Sequence, residues 1–274
     1  MRKEKGSLWG TYLLLTLGGL VMIFPFYFMI VTSFKSKDEA QAIHPSFWPH
    51  PFTIEPYIEL VRDNVVFRAA VNSVIVAILS TVGTVLICAL AGYAFAKHRF
   101  AGRDVFFVVL LSTMMIPGAV LLIPGFLLFR DFGWLDTWAP LIVPGLGGAF
   151  GVFMSRQFIG TIPDSLIESA HLEGASEWRI IFRIVFPLSK ALLSTLAILT
   201  FLGSWNSFMG PLIFLLNDKL FTLPIVIALL QGRFSDRQNV EMAGAMVSII
   251  PVLILFFFFQ KQVVASLANT GLKE

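Results

Sequence analysis

Cysteine and charged residues are both scarce in this sequence. Cys88 is the single cysteine among 274 residues, which excludes an internal disulfide and any cysteine-based metal site. Charged residues make up 14% of the chain and hydrophobic residues 57%, whereas a soluble domain carries about 25% charged residues. A soluble fold of this length could not bury so much apolar surface. The composition therefore indicates a polytopic membrane protein and excludes a disordered, collagenous or disulfide-rich chain.

Sequence signatures of catalysis and nucleotide binding are also missing. No G-x-x-x-x-G-K-[ST] phosphate loop occurs, so we do not expect this chain to bind ATP in that way. The histidines are dispersed and give neither a metal-ligand spacing nor a nucleophile–base pair. Lysine and arginine are scattered, so a net charge of +3 gives no indication of nucleic-acid binding. We predict no catalytic residue, no metal site and no cofactor in this chain.

Long apolar runs without Asp, Glu, Lys or Arg recur along the sequence. A membrane-spanning helix needs about 20 mostly apolar residues, and six runs meet this requirement. The first run is too long for the core of a signal peptide, so we expect a retained helix kinked at Pro25. The sequence predicts an all-α membrane protein, a single transmembrane domain over residues 1–274. Its spans lie at about 9–31, 69–96, 105–128, 138–158, 185–205 and 241–261.

Basic residues accumulate on one face of this predicted topology. The N-terminus, the loops 97–103 and 156–190 and the C-terminal tail together carry more than half of the 20 lysines and arginines. The first loop of the opposite face, 35–68, instead contains a cluster of acids. The positive-inside rule therefore places both termini in the cytoplasm.

The loop between the fourth and fifth predicted spans has a helix–break–helix pattern. Pro163 suits the start of a helix, and Gly174 suits its end because glycine adopts left-handed geometry without penalty. Ser176 suits the start of a second short helix, which we expect Trp178 and residues 181–182 to anchor. A helix pair with small residues at its turn can fit a cleft in another protein.

This loop resembles the EAA loop of permease subunits from binding-protein-dependent ABC importers. The family pattern is E-A-A, three residues, G, nine residues and I-x-L-P. This chain has Glu168-Ser169-Ala170, Gly174 and Ile184-Val185-Phe186-Pro187 at the same spacing. Ser169 and Phe186 depart mildly from the pattern. Further short matches are similar to the maltose-type branch of carbohydrate importers: Ser33-Phe34-Lys35, Asn72-Ser73, Gly133-Trp134-Leu135-Asp136-Thr137, Trp205-Asn206 and, more loosely, the tail.

The resemblance implies two contacts with an ATPase subunit. It assigns residues 163–182 to the cytoplasmic coupling (EAA) loop and 262–274 to a cytoplasmic tail. The implied ATPase contacts in and after the loop are Glu168, Ser169, Ala170, Leu172, Glu173, Gly174, Ala175 and Pro187. Those in the tail are Thr270, Gly271 and Lys273. Without the motif, the loop acids would be the solvated face of an amphipathic helix and the tail a frayed terminus.

A solute path is harder to recognise from the sequence. A sugar offers hydroxyl groups and apolar faces, so its path needs hydroxyl and amide groups beside aromatic rings. Asn72, Trp205, Asn206 and Phe208 have this chemistry, although ordinary interhelical hydrogen bonding would explain the same residue types. Other polar residues within the spans are Ser73, Ser80, Thr81, Thr84, Ser112, Thr113, Ser204 and Ser207.

Taken together, the resemblance implies a six-helix permease of the MetI-like type in a bacterial or archaeal plasma membrane. It would form half of the translocation path for a sugar or oligosaccharide. The implied partners are a second permease in a heterodimer, two cytoplasmic ATPase subunits that bind ATP and Mg, an extracytoplasmic sugar-binding protein and membrane lipid, with no nucleic acid.

Two alternatives stay open at this point. One is an ABC permease for a non-sugar solute such as glycerol phosphate. The other is an ion-driven secondary carrier or channel, against which the lack of mid-span charges argues. A membrane scaffold would leave the EAA pattern unexplained.

Overall fold

The computed structural model describes residues 3–62, 64–233 and 237–270, and the side chains of residues 9–62, 64–230, 232, 237–254 and 256–257. Within these ranges the chain is helical and contains no strand. The predicted all-α fold class is therefore confirmed for the described residues.

The helices range from single turns to more than 30 residues. The long helices are Lys3–Ser33, Val65–Lys97 and Gln238–Thr270. The shorter α-helices are Lys37–Ala40, Glu55–Arg62, Arg103–Ser112, Leu122–Asp131, Ala139–Ile142, Ala149–Gly160, Asp164–Leu172, Glu177–Ile180, Phe186–Leu188, Lys190–Trp205, Met209–Phe214 and Leu223–Arg233. Four 3-10 turns, Thr113–Met115, Gly118–Leu121, Val143–Gly145 and Asp218–Leu220, and one π-helix, Ile181–Val185, complete the described elements.

Two of the described helices, Trp9–Ser33 and Val65–Lys97, are long and apolar enough to cross a membrane. Two further candidates are pairs of helices bent at a short break, and counting each pair as one span raises the number to four. Residues Gln238–Ile254 form a shorter apolar helix. The count of six spans and the sidedness of the termini remain predictions.

The predicted third span, 105–128, is a bent pair of helices rather than one rod. Helix Arg103–Met115 and helix Gly118–Asp131 meet at 92°. Pro117 explains the break, because it has no N–H to donate and forces the preceding Ile116 into an extended conformation. The first helix, by contrast, continues through Pro25 from Lys3 to Ser33.

The predicted fourth span is interrupted in the structure, and the predicted fifth span begins later than expected. Within 138–158, a 3-10 turn at Val143–Gly145 separates helix Ala139–Ile142 from helix Ala149–Gly160, because proline and clustered glycines do not sustain a helix. The fifth span was predicted from residue 185, but an 81° bend places the start of its straight helix at Lys190.

The described chain forms two compact units. One consists of the described residues up to Arg68 together with Val226–Ile250, and the other of Ala69–Ile225 together with the described residues from Pro251 onward. In the first unit, Arg237 forms an ion pair with Glu59, and the Asn239 amide donates to the Lys35 carbonyl oxygen at 3.0 Å.

Small residues bring helix Val65–Lys97 close to helix Ala149–Gly160 in the second unit. A Cβ atom added at Gly92 would lie 2.3 Å from the Ser155 Cβ, and one added at Gly151 would lie 2.7 Å from the Cys88 Sγ. Real Cβ atoms do not approach so closely, so glycine is required for this contact. The same unit contains the apolar cluster Tyr93, Ile159, Ile162, Ile167, Ile180, Ile181, Val185 and Leu192.

Candidate functional site

The coupling segment, residues 163–182, folds as two helices joined by a tight turn. Helix Asp164–Leu172 follows Pro163, and helix Glu177–Ile180 follows the turn. At the turn, the Gly174 N–H donates to the His171 carbonyl oxygen and the Ala175 N–H to that of Ala170, both at 2.9 Å. This pair of bonds is a Schellman cap, which needs a left-handed residue at Gly174. Gly174 has φ +78°, as its position in the motif requires.

Aliphatic side chains, rather than aromatic ones, anchor the coupling segment. Ile167, Ile180 and Ile181 are buried in the apolar cluster of the second unit. The expected anchors Trp178 and Phe182 are instead 62% and 49% exposed, with their rings stacked at 6.1 Å. Residues 178 and 182 are one turn apart and share a helix face, and that face points away from the buried isoleucines. Of the three expected anchors of this helix, Ile181 is confirmed, whereas Trp178 and Phe182 are not buried within the described chain.

Polar side chains tie the start of the coupling segment to the end of helix Val65–Lys97. The Lys97 ammonium donates to the Asp164 carboxylate at 2.6 Å and also to the Ile162 carbonyl oxygen. The Lys97 side chain is only 6% exposed. A charged hydrogen bond of this kind is stronger than a neutral one, so Lys97 clamps the first turn of helix Asp164–Leu172.

A second polar contact holds the helix that follows the turn. The Tyr93 hydroxyl donates to the Glu177 carboxylate at 2.9 Å. His98 and His171 lie 3.7 and 3.3 Å from the same carboxylate. Tyr93 and Lys97 are one helical turn apart, so a single helix end contacts both halves of the coupling segment. This clamp was not predicted from the sequence, although a tyrosine and a lysine spaced i, i+4 at the end of an apolar helix were its signal.

Most of the residues predicted to contact the ATPase are accessible. Ala170 and Ala175 are half-buried, and Glu168, Ser169, Leu172, Glu173, Gly174 and Pro187 are exposed. Leu172, at the helix end, is 90% exposed. The Ser169 hydroxyl donates within its own helix, to the Ser165 carbonyl oxygen at 2.7 Å. The ATPase contact itself stays a prediction.

The predicted tail contacts lie at or beyond the end of the described chain. Thr270 is the last residue of helix Gln238–Thr270, and its side chain is outside the described set. Gly271 and Lys273 lie outside the described residues.

The predicted path residues do not share one environment. The Asn72 amide donates to the carbonyl oxygens of Lys219 and Phe221, both at 2.9 Å, so both of its N–H groups hold a loop. Trp205 is buried with its ring stacked on Phe201. The Asn206 amide is exposed and donates within its own helix, and Phe208 is half-buried.

A cavity of about 440 Å³ lies within the second unit. Among the described residues that line it, none is charged and none is one of these four predicted path residues. The side-chain oxygens of Ser80 and Thr222 are buried and have no hydrogen-bond partner among the described residues. Phe150 and Phe214 contribute aromatic rings. The hydroxyl residues of the lining are Ser73, Ser80, Thr84, Thr200, Ser204, Ser207 and Thr222.

The known proteins that this chain resembles are components of transport systems. A family model described as "Binding-protein-dependent transport system inner membrane component" matches residues 83–269. The arabinooligosaccharides transport system permease protein AraQ of Halalkalibacterium halodurans is 33% identical, with 95% of this chain and 96% of that protein covered. The sn-glycerol-3-phosphate transport system permease protein UgpE of Escherichia coli O1:K1 is 30% identical, with 95% of each covered.

A solved structure shows the same fold along nearly the whole chain. It is a chain of a bacterial ABC transporter involved in the import of the acidic polysaccharide alginate. The TM-score is 0.84 at 23% identity, and the match covers 95% of this chain and 98% of that chain.

Proposed function

Because the chain belongs to the family of inner membrane components of binding-protein-dependent transport systems, we propose that it is a membrane-spanning subunit of an ATP-driven sugar importer. The observation that carries the proposal is the accessible coupling segment, whose capped turn leaves Leu172 exposed and whose two helices are clamped to helix Val65–Lys97. A transporter that works without an ATPase would have no use for this surface.

The proposed topology is one permease domain with six spans and cytoplasmic termini in a bacterial plasma membrane. Helices Trp9–Ser33 and Val65–Lys97, the bent pair from Arg103 to Asp131 and helix Lys190–Trp205 supply four of the spans. Residues 139–160 and the helix that begins at Gln238 supply the other two. The distribution of lysine and arginine supports this orientation.

The proposed assembly has five chains: this permease, a second permease, two ATPase subunits and an extracytoplasmic binding protein. The similarity to AraQ, a permease protein of a transport system for arabinooligosaccharides, supports the role of one permease within a larger assembly. ATP and Mg would be bound by the ATPase subunits, so this chain carries out no chemistry of its own. The tail residues Thr270, Gly271 and Lys273 would add a second contact with the ATPase.

The proposed mechanism transmits movement through one helix. When the ATPase subunits close on ATP, they displace the coupling segment that they grip. Lys97 and Tyr93 connect that segment to helix Val65–Lys97, so the displacement passes to a rigid rod that also lines the cavity through Ser80 and Thr84. The path would then open alternately to the two sides of the membrane.

A neutral sugar fits the cavity better than an anionic solute does. Hydroxyl groups and the rings of Phe150 and Phe214 match the hydroxyls and apolar faces of a saccharide. Glycerol phosphate would need a cation or clustered N–H donors, and the described lining residues include no charged side chain. The similarity to UgpE keeps glycerol phosphate as the alternative cargo.

The partner chains provide the direct test of this function. The tagged chain is isolated from its native membrane in mild detergent, and the proteins that accompany it are identified by mass spectrometry. We expect a second permease and an ATPase with a phosphate loop, together with a binding protein that can then be screened against sugars and glycerol phosphate. Recovery of the chain alone, or only with copies of itself, would favour a secondary carrier or channel.

A further inference from the structure

The loop that follows the first helix turns back and runs beside it. We call residues 41–54 the return loop. The Tyr27 hydroxyl donates to the Phe47 carbonyl oxygen at 2.5 Å, and the rings of Phe24 and Phe47 lie 6.5 Å apart. Helix Lys3–Ser33 ends six residues after Tyr27 and nine after Phe24, which is about 9 and 13 Å along the helix axis. Phe47 therefore lies beside the body of this helix and not beside its C-terminal end.

That position brings the return loop to the level of the membrane. The apolar stretch Trp9–Ser33 has 25 residues, or about 37 Å of helix, and the hydrocarbon core of a bilayer is about 30 Å thick. If this stretch spans the bilayer, its ends extend only about 4 Å beyond the core on each side. Tyr27, about 9 Å from the helix end, then lies about 5 Å inside the hydrocarbon core, close to its boundary with the headgroups.

Several polar groups of the return loop are satisfied within its own unit. The Lys35 ammonium, which is fully buried, donates to the Ser46 carbonyl oxygen at 2.6 Å. The Glu39 carboxylate accepts bonds from the Ser46 hydroxyl and the His50 N–H. Irregular backbone is tolerated at membrane depth only when its hydrogen bonds are made within the protein.

The exposed side chains of this region are apolar and lie together. The interfacial patch comprises Phe47, Trp48, Phe52, Ile54, Ile58 and Val61, each more than half exposed. Helix Glu55–Arg62 presents Ile58 and Val61 on one side and its two acids on another. Such a helix, next to a tryptophan and phenylalanines, has the composition of segments that lie in the membrane interface.

From these observations we propose that the interfacial patch inserts into the lipid interface and anchors the return loop to the bilayer beside the first span. Lipid is the occupant because the patch lies beside helix Trp9–Ser33, in whose apolar 18-residue window only 6% of the residues are buried within the chain. The inference goes beyond transport, and it depends only on that helix crossing the membrane. A partner protein on the same surface is an outcome that the test separates.

Site-directed spin labelling in liposomes measures where the patch lies. The sequence has one cysteine, so Cys88→Ser, combined with partner subunits whose own cysteines are replaced, gives a background for single labels in the purified transporter. Trp48→Cys and Phe52→Cys report on the patch. Asp38→Cys, on an exposed residue of the same region, is the matched control. The measurement is the accessibility of each label to oxygen, which concentrates in lipid, and to a water-soluble nickel chelate.

Lipid insertion predicts an oxygen-to-nickel accessibility ratio that is severalfold higher at positions 48 and 52 than at position 38. High nickel accessibility at both patch positions would place the patch in water and overturn the proposal. Low accessibility to both reagents would place it in a protein interface, which also overturns it. A second measurement needs no cysteine: lipids brominated near the headgroup should quench the wild-type tryptophan fluorescence more than that of Trp48→Phe.

Discussion

At the scale of single residues, the left-handed backbone conformation of Gly174 determines the shape of the coupling segment. Its φ of +78° closes the Schellman cap of the coupling segment, and a β-branched residue in that conformation costs roughly 1–2 kcal/mol. No atom outside the turn lies within 4 Å of a Cβ added there, so a substitution strains the turn without a clash inside the chain. We expect Gly174→Val to insert and assemble but to uncouple ATP hydrolysis from uptake, measured as solute transported per ATP.

Gly133 provides a matched control for that experiment. It has φ +67° and equally open surroundings, but it lies outside the coupling segment. Gly133→Val should lower the melting temperature as much as Gly174→Val while keeping normal transport per ATP. Normal coupling in Gly174→Val would show that the turn has no part in energy transmission.

At the scale of elements, helix Val65–Lys97 and the coupling segment act as one piece because Lys97 joins them. Lys97→Met removes the donor from the Asp164 carboxylate and from the Ile162 carbonyl oxygen. A lost hydrogen bond to a charged group costs about 1.5–3 kcal/mol, with the lower end more realistic because Asp164 is 75% exposed. We expect a loosened coupling segment, with ATP hydrolysis retained and uptake reduced in proteoliposomes.

The conservative variant tests whether Lys97 acts through its charge. Lys97→Arg keeps a cation that can reach the Asp164 carboxylate, so it should restore most of the uptake that Lys97→Met loses. Equal loss in both variants would instead point to the packing of the lysine stem.

Local elements of this fold were predictable, but contacts between distant residues were not. The turn at Gly174 follows from residues within one segment, so the pattern predicted it. The Tyr93–Glu177 and Lys97–Asp164 contacts join residues 84 and 67 positions apart, and no local pattern records such pairs. The breaks near Pro117 and Pro144 divide predicted spans because hydropathy counts apolar residues and ignores the missing proline N–H.

At the scale of the whole molecule, one helix connects the proposed ATPase contact to the proposed solute site. Helix Val65–Lys97 contacts the coupling segment through Tyr93 and Lys97 and lines the cavity through Ser80 and Thr84. Ser80 and Lys97 are separated by about 26 Å of continuous helix. A rigid helix of this length transmits a displacement at one end to the other, which is what alternating access requires of it.

The cavity should therefore determine which solute the assembly accepts. The buried hydroxyls of Ser80 and Thr222 lack partners within the described chain, and an unpaired buried hydroxyl is costly unless a ligand or water satisfies it. With the sugar that the binding protein recognises, Ser80→Ala and Thr222→Val should each reduce uptake about 2- to 10-fold, the equivalent of one hydrogen bond. ATP hydrolysis stimulated by the binding protein should stay unchanged, because the coupling segment is intact.

Thr195→Val is the matched control, because the Thr195 hydroxyl donates to the Ala191 carbonyl oxygen within its own helix and does not belong to the cavity lining. Its uptake should equal that of the wild type. If the cavity variants also transport normally, the solute passes elsewhere, and the surface shared with the second permease becomes the site to examine. If they lose assembly instead, the hydroxyls serve packing between helices. A selective loss of uptake, with assembly and hydrolysis preserved, is the result that a sugar-binding cavity requires.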